Sequence, residues 1–173
     1  MATPLTGSPP SVGSARPAQG TPTRAPDRRL RLEDILKLMV ADGLVAPADA
    51  DTLARSRTRR FEHPLEMIAD RKWKSLAPPY KGITLDWLVE WLGARLGVPS
   101  RHIDPLKIDL GAVTQTMSNA YAERYCVLPI EVTRETLTVG TAEPFVRAWA
   151  DELEQILRLK VEFVFVNPVD IRR

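Results

Sequence analysis

The chain has 173 residues, 44% of them hydrophobic and 27% charged, with a single cysteine, Cys126, and a net charge of +2. That is enough for one domain or two small ones, and one cysteine excludes an intramolecular disulfide and a cysteine-based zinc site. Arg16, Arg24, Arg28 and Arg29 against Asp27 put +3 of the charge in residues 1–29, so the remainder carries −1 and gives no sign of a nucleic-acid-binding globule.

Residues 1–29 are rich in Pro, Gly, Ser, Thr and Ala and nearly devoid of large apolar side chains, so they read as a disordered tail. The first ten residues lack the charged start and apolar centre of a signal peptide, and no apolar run approaches the roughly 20 residues of a membrane span. A cytoplasmic chain is expected. From Leu30 the pattern changes. Leu32, Ile35, Leu36, Met39 and Val40 repeat with the period of one helical face, Gly43 stands where a left-handed cap belongs, and Leu44 supplies its apolar contact. Pro47 suits the first turn of a second helix reaching about Arg57, and Pro64–Arg71 makes a third. Residues 30–75 are thus a helical subdomain. Pro78-Pro79 and Gly82 mark residues 76–83 as a connecting loop.

Thr84 is the expected N-cap of a helix through Leu96, ended by Gly97, Val98 and Pro99. Asp109 caps a further helix, predicted to run unbroken to about Tyr125 with Leu110, Val113, Met117, Ala120 and Tyr121 on one face. The period then falls to 2. Val127–Val132 and Thr136–Thr141 read as a hairpin across Thr133-Arg134-Glu135, with Pro129 implying an edge position or a bulge. Pro144 is expected to open a helix carrying Val146, Trp149, Leu153, Ile156 and Leu157, and Lys160–Val166 is a third strand, parallel to the second. The predicted class is α+β: a helical subdomain followed, over residues 84–173, by an α/β unit with helices packed on a three-stranded mixed sheet.

The sequence contains neither a Gly-Lys dipeptide nor a G-x-G-x-x-G run, so neither phosphate-loop pattern is present. His63 and His102 lack metal-ligand spacing and read as solvated loop histidines, and Cys126 reads as a small core residue. No catalytic residue, metal site or cofactor is expected. Three features remain for binding. Arg55, Arg57, Arg59 and Arg60 form a basic run at the end of the second helix, suited to its macrodipole or to an anion. Trp87 and Trp91, spaced i, i+4 among Leu85, Leu88, Leu92 and Leu96, give that helix more apolar character than one face needs, for packing on the first three helices or for a partner. The stripe from Leu32 to Val40 offers either a core face or a groove-binding face.

Several segments together resemble the N-terminal domain of type II secretion and type IV pilus assembly ATPases. They are Leu36-Lys37-Leu38-Met39-Val40-Ala41-Asp42-Gly43-Leu44-Val45, Ala122-Glu123-Arg124-Tyr125-Cys126-Val127-Leu128-Pro129-Ile130, Leu137-Thr138-Val139-Gly140-Thr141-Ala142-Glu143-Pro144, and Val166-Asn167-Pro168-Val169-Asp170-Ile171-Arg172. Gly140 stands where the family usually has alanine. The resemblance covers residues 30–173 in order. It implies a non-catalytic docking domain that binds the cytoplasmic part of an inner-membrane platform subunit and joins its own ATPase motor to it, with membrane association only through that partner. ATP and magnesium would belong to a motor beyond Arg173. Some family members bind cyclic di-GMP through tandem R-L-G-x-x-L-V-x-x-G-type motifs. Here Arg31-Leu32 is followed by Glu33, the spacing to Gly43 is long, and Pro64–Lys72 holds no second copy. A nucleotide-sensing module using Arg31 and the arginines at 55–60 is the alternative implied.

Overall fold

The computed structural model of the chain describes residues 26–56, 60–61 and 63–172; most of the expected tail lies outside them. Helix α1 (Leu32–Ala41) buries Ile35, Leu36 and Met39, the positions its period selects. It ends as the sequence predicts. Gly43, at φ 70°, donates its N–H to the Val40 carbonyl, and Leu44 donates to Met39, each at 3.0 Å. This paired closure satisfies two otherwise orphaned carbonyls and carries the Leu44 side chain into the core. Helix α2 (Pro47–Ala54) has Pro47 in its first turn, and α3 (Pro64–Asp70) has Pro64 there.

Helix α4 (Leu85–Leu96) starts where the Thr84 hydroxyl accepts the Trp87 N–H at 3.2 Å and stops at Gly97, φ 71°. Its buried side chains Leu88, Val89 and Leu92 share one apolar cluster with α1, α2 and α3, and that cluster reaches Phe165. Gly93 permits this approach: a Cβ there would lie 2.9 Å from the Val98 carbonyl oxygen and 3.2 Å from the Ser100 Cβ.

The helix expected from Leu110 to Tyr125 is two. Helix α5 (Leu110–Thr114) and α6 (Asn119–Tyr125) are separated by Gln115–Ser118. Hydroxyl groups explain the break. Thr114 and Thr116 donate to the Leu110 and Val113 carbonyls at 2.7 and 2.6 Å, while the Ser118 hydroxyl accepts the Tyr121 N–H and caps a new helix. The single apolar stripe is lost with it, leaving Leu110 67% exposed. A 3₁₀ turn at Pro105–Lys107, capped by Asp104, precedes α5 and leaves Leu106 95% exposed.

Strands β1 (Val127–Val132), β2 (Thr136–Thr141) and β3 (Lys160–Phe165) form a sheet in the order β1-β2-β3, antiparallel then parallel. β1 is an edge strand, and its register shifts between Pro129 and Glu131, the bulge that a residue without an N–H favours. Helix α7 (Ala148–Leu157) covers the sheet with Trp149 and Leu153 against Val127, Leu137, Val139 and Val161. It begins four residues later than Pro144, after a turn in which the Val146 N–H donates to the Glu143 carbonyl at 3.1 Å. Ile156, expected on its inner face, is 66% exposed. The chain then enters α8 (Pro168–Arg172). The class is α+β, as read from the sequence.

Candidate functional site

Residues 27–30, of which 27–29 belong to the expected disordered tail, lie against the segment that leaves β2. The Asp27 carboxylate accepts the Ala148 N–H at 2.8 Å, capping α7, whose own N-cap residue Arg147 offers no side-chain bond. Arg28 donates its backbone N–H to Phe145 and lays its guanidinium 4.6 Å from that ring. Leu30 N–H donates to Glu143 Oε2 at 2.7 Å. A short stretch of chain thus ties the start of α1 to the start of α7.

On one side of this stretch is a cleft of about 330 Å³. Arg28, Arg29, Arg31 and Lys37 line it against the one acid Asp34, and Ile35, Leu92 and Phe145 supply apolar wall. Arg31 is also the N-cap of α1 and makes no side-chain capping bond. An anion with an apolar or aromatic body matches such a lining. Neither Arg55 nor Arg60 lines it. Arg55 is the exposed C-cap of α2, Arg60 lies 5.5 Å from the Phe61 ring, and Arg57 and Arg59 fall outside the described residues.

On the other side is a larger cleft of about 870 Å³, between α3, α6, α8 and the end of β2. Its wall corrects the reading of His63, which is 5% exposed and not a solvated loop residue. His63 is the N-cap of α3. Its Nδ1 accepts the Leu65 N–H at 3.2 Å, and its own backbone N–H donates to Glu66 Oε2 at 3.2 Å, a reciprocal capping box. The other ring nitrogen lies 2.8 Å from the Ala142 carbonyl oxygen. A carbonyl only accepts and a backbone N–H only donates, so the ring is the neutral tautomer with its proton on Nε2. Burial holds the His63 pKa below the ordinary histidine value, outweighing the Ala142 bond and the nearby Glu66 carboxylate.

Glu143, 7% exposed, comes within 3.6 Å of His63 Nε2 through Oε1. Burial pushes its carboxyl above the usual range, against the Leu30 N–H and Arg29. Glu66, also buried, pairs with Arg172 of α8. The run His63-Pro64-Leu65-Glu66 is the signal sequence reasoning missed: a polar residue, proline at N1 and glutamate at N3 together mark an N-cap. Cys126 is likewise not a core residue. It terminates α6 at φ 52°, half-buried, with Sγ 3.8 Å from the Glu123 carbonyl oxygen, and it lines this cleft.

Trp87 and Trp91 stack with planes 3° apart and centroids 6.0 Å apart. Both are half-buried and packed on the helical core, and the Trp91 indole N–H donates to Asp42 at 3.0 Å, joining α4 to the end of α1. His102 is exposed, as read, but Asp86 and Asp170 bring carboxylate oxygens close to its ring, the three ligand atoms lying within 4.8 Å of one another. Asp86 also accepts a bond from the Asn167 side chain at 2.8 Å.

A family model described as the MshEN domain matches residues 96–173, which run from the end of α4 through α8. The type IV pilus assembly ATPase TfpB of Acinetobacter baylyi is 34% identical over 151 residues, 85% of this chain and 25% of that protein. The chain therefore spans about a quarter of that relative's length. Among solved structures, MshE with cdg gives a TM-score of 0.48 at 19% identity, covering 83% of this chain and 95% of that one. The N-terminal domain of XpsE gives 0.48 at 12% identity, covering 84% and 94%. The motifs spread from α1 to α8 agree with the sequence matches: residues 96–173 match the MshEN domain, and most of the chain is similar to a part of a type IV pilus assembly ATPase.

Proposed function

We propose that this chain is the docking and regulatory domain of a secretion or pilus-assembly ATPase, binding the cytoplasmic part of an inner-membrane platform subunit and coupling the motor to it. The observation that carries the reading is the 34% identity, over 85% of the chain, to one quarter of a pilus assembly ATPase. A non-motor portion of such an ATPase has mechanical work to do: it holds one surface of a partner while the motor moves. Two apolar side chains suit such a surface, Leu106 and Leu110, which stand exposed on successive short turns. On this reading the chain lies in the cytoplasm and meets the membrane through its partner; among the described residues no helix is long and apolar enough to cross a membrane. ATP and magnesium act in the motor, not here. The test is co-purification of the 173-residue chain with the cytoplasmic domains of the source organism's platform subunits, each expressed separately. A complex with one of them that weakens on L106D/L110D substitution supports the proposal. Failure of every such domain to co-elute refutes it.

One observation favours a second reading, a cyclic di-GMP-sensing module. Arg31 lines the smaller cleft together with Arg28, Arg29 and Lys37 over apolar side chains, a lining suited to phosphates attached to a flat ring system. Calorimetric titration with cyclic di-GMP separates the two readings. Saturable heat that disappears in Arg31→Ala establishes the sensor, and absence of heat at millimolar ligand removes it.

A further inference from the structure

Asp86, His102 and Asp170 come from three separate parts of the chain, and the fold sets the position of each. Asp86 stands in the first turn of α4. His102 follows a stretch that pairs alongside β3: the Phe165 N–H donates to the Pro99 carbonyl at 2.7 Å, and the Arg101 N–H donates to the Phe165 carbonyl at 3.0 Å. Asp170 lies on α8, which begins just past the end of β3. Asn167, between β3 and α8, donates its side-chain amide to Asp86 at 2.8 Å and accepts the Val169 N–H at 2.9 Å, which sets the α4 carboxylate against the start of α8.

One ligand atom from each of the three lies within 4.8 Å of the other two, yet no hydrogen bond or ion pair links the side chains to one another. The arginines that flank them in the chain are engaged elsewhere, Arg95 with Asp42, Arg101 with Glu131 and Arg172 with Glu66. Two carboxylates and an imidazole therefore share one small space. Among the described residues, neither carboxylate has an ion pair with a lysine or arginine. Such a donor set is complementary to a cation.

We propose that Asp86, His102 and Asp170 bind a divalent transition-metal ion of the zinc class, which staples α8 and the segment after α4 to the first turn of α4. An imidazole donor selects such ions over magnesium and calcium, which take oxygen ligands. Zinc at about 2.0–2.2 Å from its donors in tetrahedral geometry sets those donors about 3.4 Å apart, so the widest pair closes by at most about 1.4 Å. Asp86 and His102 are exposed and Asp170 is half-buried, so side-chain rotation covers that movement. Three protein donors leave a fourth position to water. None of the three residues lines either cleft, so the ion acts on the fold: it fixes where α8 lies against α4.

The test titrates zinc chloride into the full 173-residue chain, stripped with chelator, by calorimetry at about pH 7.5, with magnesium chloride as the control. One zinc per chain is expected. Its affinity should fall by about tenfold or more in His102→Ala, in Asp86→Asn and in Asp170→Asn, and should be unchanged in Cys126→Ser, which removes the one thiol. Hydrogen exchange of peptides covering residues 166–172 should slow several-fold when zinc is added to wild type and stay unchanged in His102→Ala, which reads the staple itself. Zinc affinity within about threefold of wild type in His102→Ala, or in both carboxylate variants, overturns the proposal. So does a stripped chain that gives no saturable heat with zinc, a loss of binding in Cys126→Ser, or exchange at 166–172 that zinc leaves unchanged in wild type. Unchanged far-ultraviolet circular dichroism checks that each variant is folded.

Discussion

Replacing His63 by alanine tests the reading of the larger cleft most sharply. The substitution removes two bonds of different kinds. Loss of the Nδ1 acceptor leaves the Leu65 N–H uncapped, which costs about 1 kcal/mol. Loss of the Nε2 donor leaves the Ala142 carbonyl without its partner in a buried setting, which costs about 1–3 kcal/mol. The expected total is about 2–4 kcal/mol, a large part of the stability of a domain this size. His63→Asn keeps a good N-cap but is too short to reach Ala142, so it should lose about 1–3 kcal/mol. Urea unfolding followed by tryptophan fluorescence measures both, with the midpoint shift interpreted at constant m. The pH dependence supplies an independent sign. Because the folded-state pKa of His63 is lowered, its contribution is fully present above the unfolded value of about 6.5 and is lost as pH falls toward the folded value. The gap between wild type and His63→Ala should therefore narrow from neutral pH toward mild acid. A loss under about 0.5 kcal/mol, or a gap that widens in acid, would falsify the buried neutral-tautomer account.

Other substitutions test separate joints of the fold. Gly93→Ala should destabilise by about 1–3 kcal/mol, since its Cβ meets a backbone carbonyl that has no freedom to withdraw; wild-type stability in urea would show that α4 has room there. Asp27→Ala should cost about 1 kcal/mol through the uncapped start of α7, read from the same unfolding curves. The Tyr121 hydroxyl, which donates to the Trp149 carbonyl or to Glu152, has its pKa pushed up to about 12 by burial and the Glu152 charge, so Tyr121→Phe should remove the phenolate absorbance step in that region of a spectrophotometric titration. The purified chain should release no phosphate from ATP, and nucleotide-saturable turnover in a clean preparation would contradict its assignment as the non-motor part.

Legibility in the sequence followed the range of the interactions involved. The Gly43 stop, the Thr84 and Asp109 caps, the two strands of the hairpin and the Pro129 bulge are decided within a few residues, and each stands where the sequence puts it. The misses have longer causes. Whether Leu110 to Tyr125 is one helix or two depends on threonine hydroxyls choosing backbone carbonyls over water, which periodicity does not register. The late start of α7 reflects a cap supplied by Asp27, 121 residues away in sequence. The same holds for the cleft. His63 reads as an isolated loop residue until Ala142 and Glu143 are brought to it, 79 and 80 positions on, and the only local trace was its place before Pro64 and Glu66. The basic character around Arg31 was visible, whereas Lys37 and Phe145 joined it only through folding.

The irregularity in β1 has a consequence for how the molecule behaves in company. A regular edge strand presents an alternating row of free amides and carbonyls onto which a stray peptide or a second sheet can zip. Here the row is broken twice within three residues, once by a proline with nothing to donate and once by the register slip that follows it. The sheet is thereby closed to accretion along β1, and a concentrated pool of identical domains, the situation created when several subunits are gathered on one assembly, is protected from fusing through that edge.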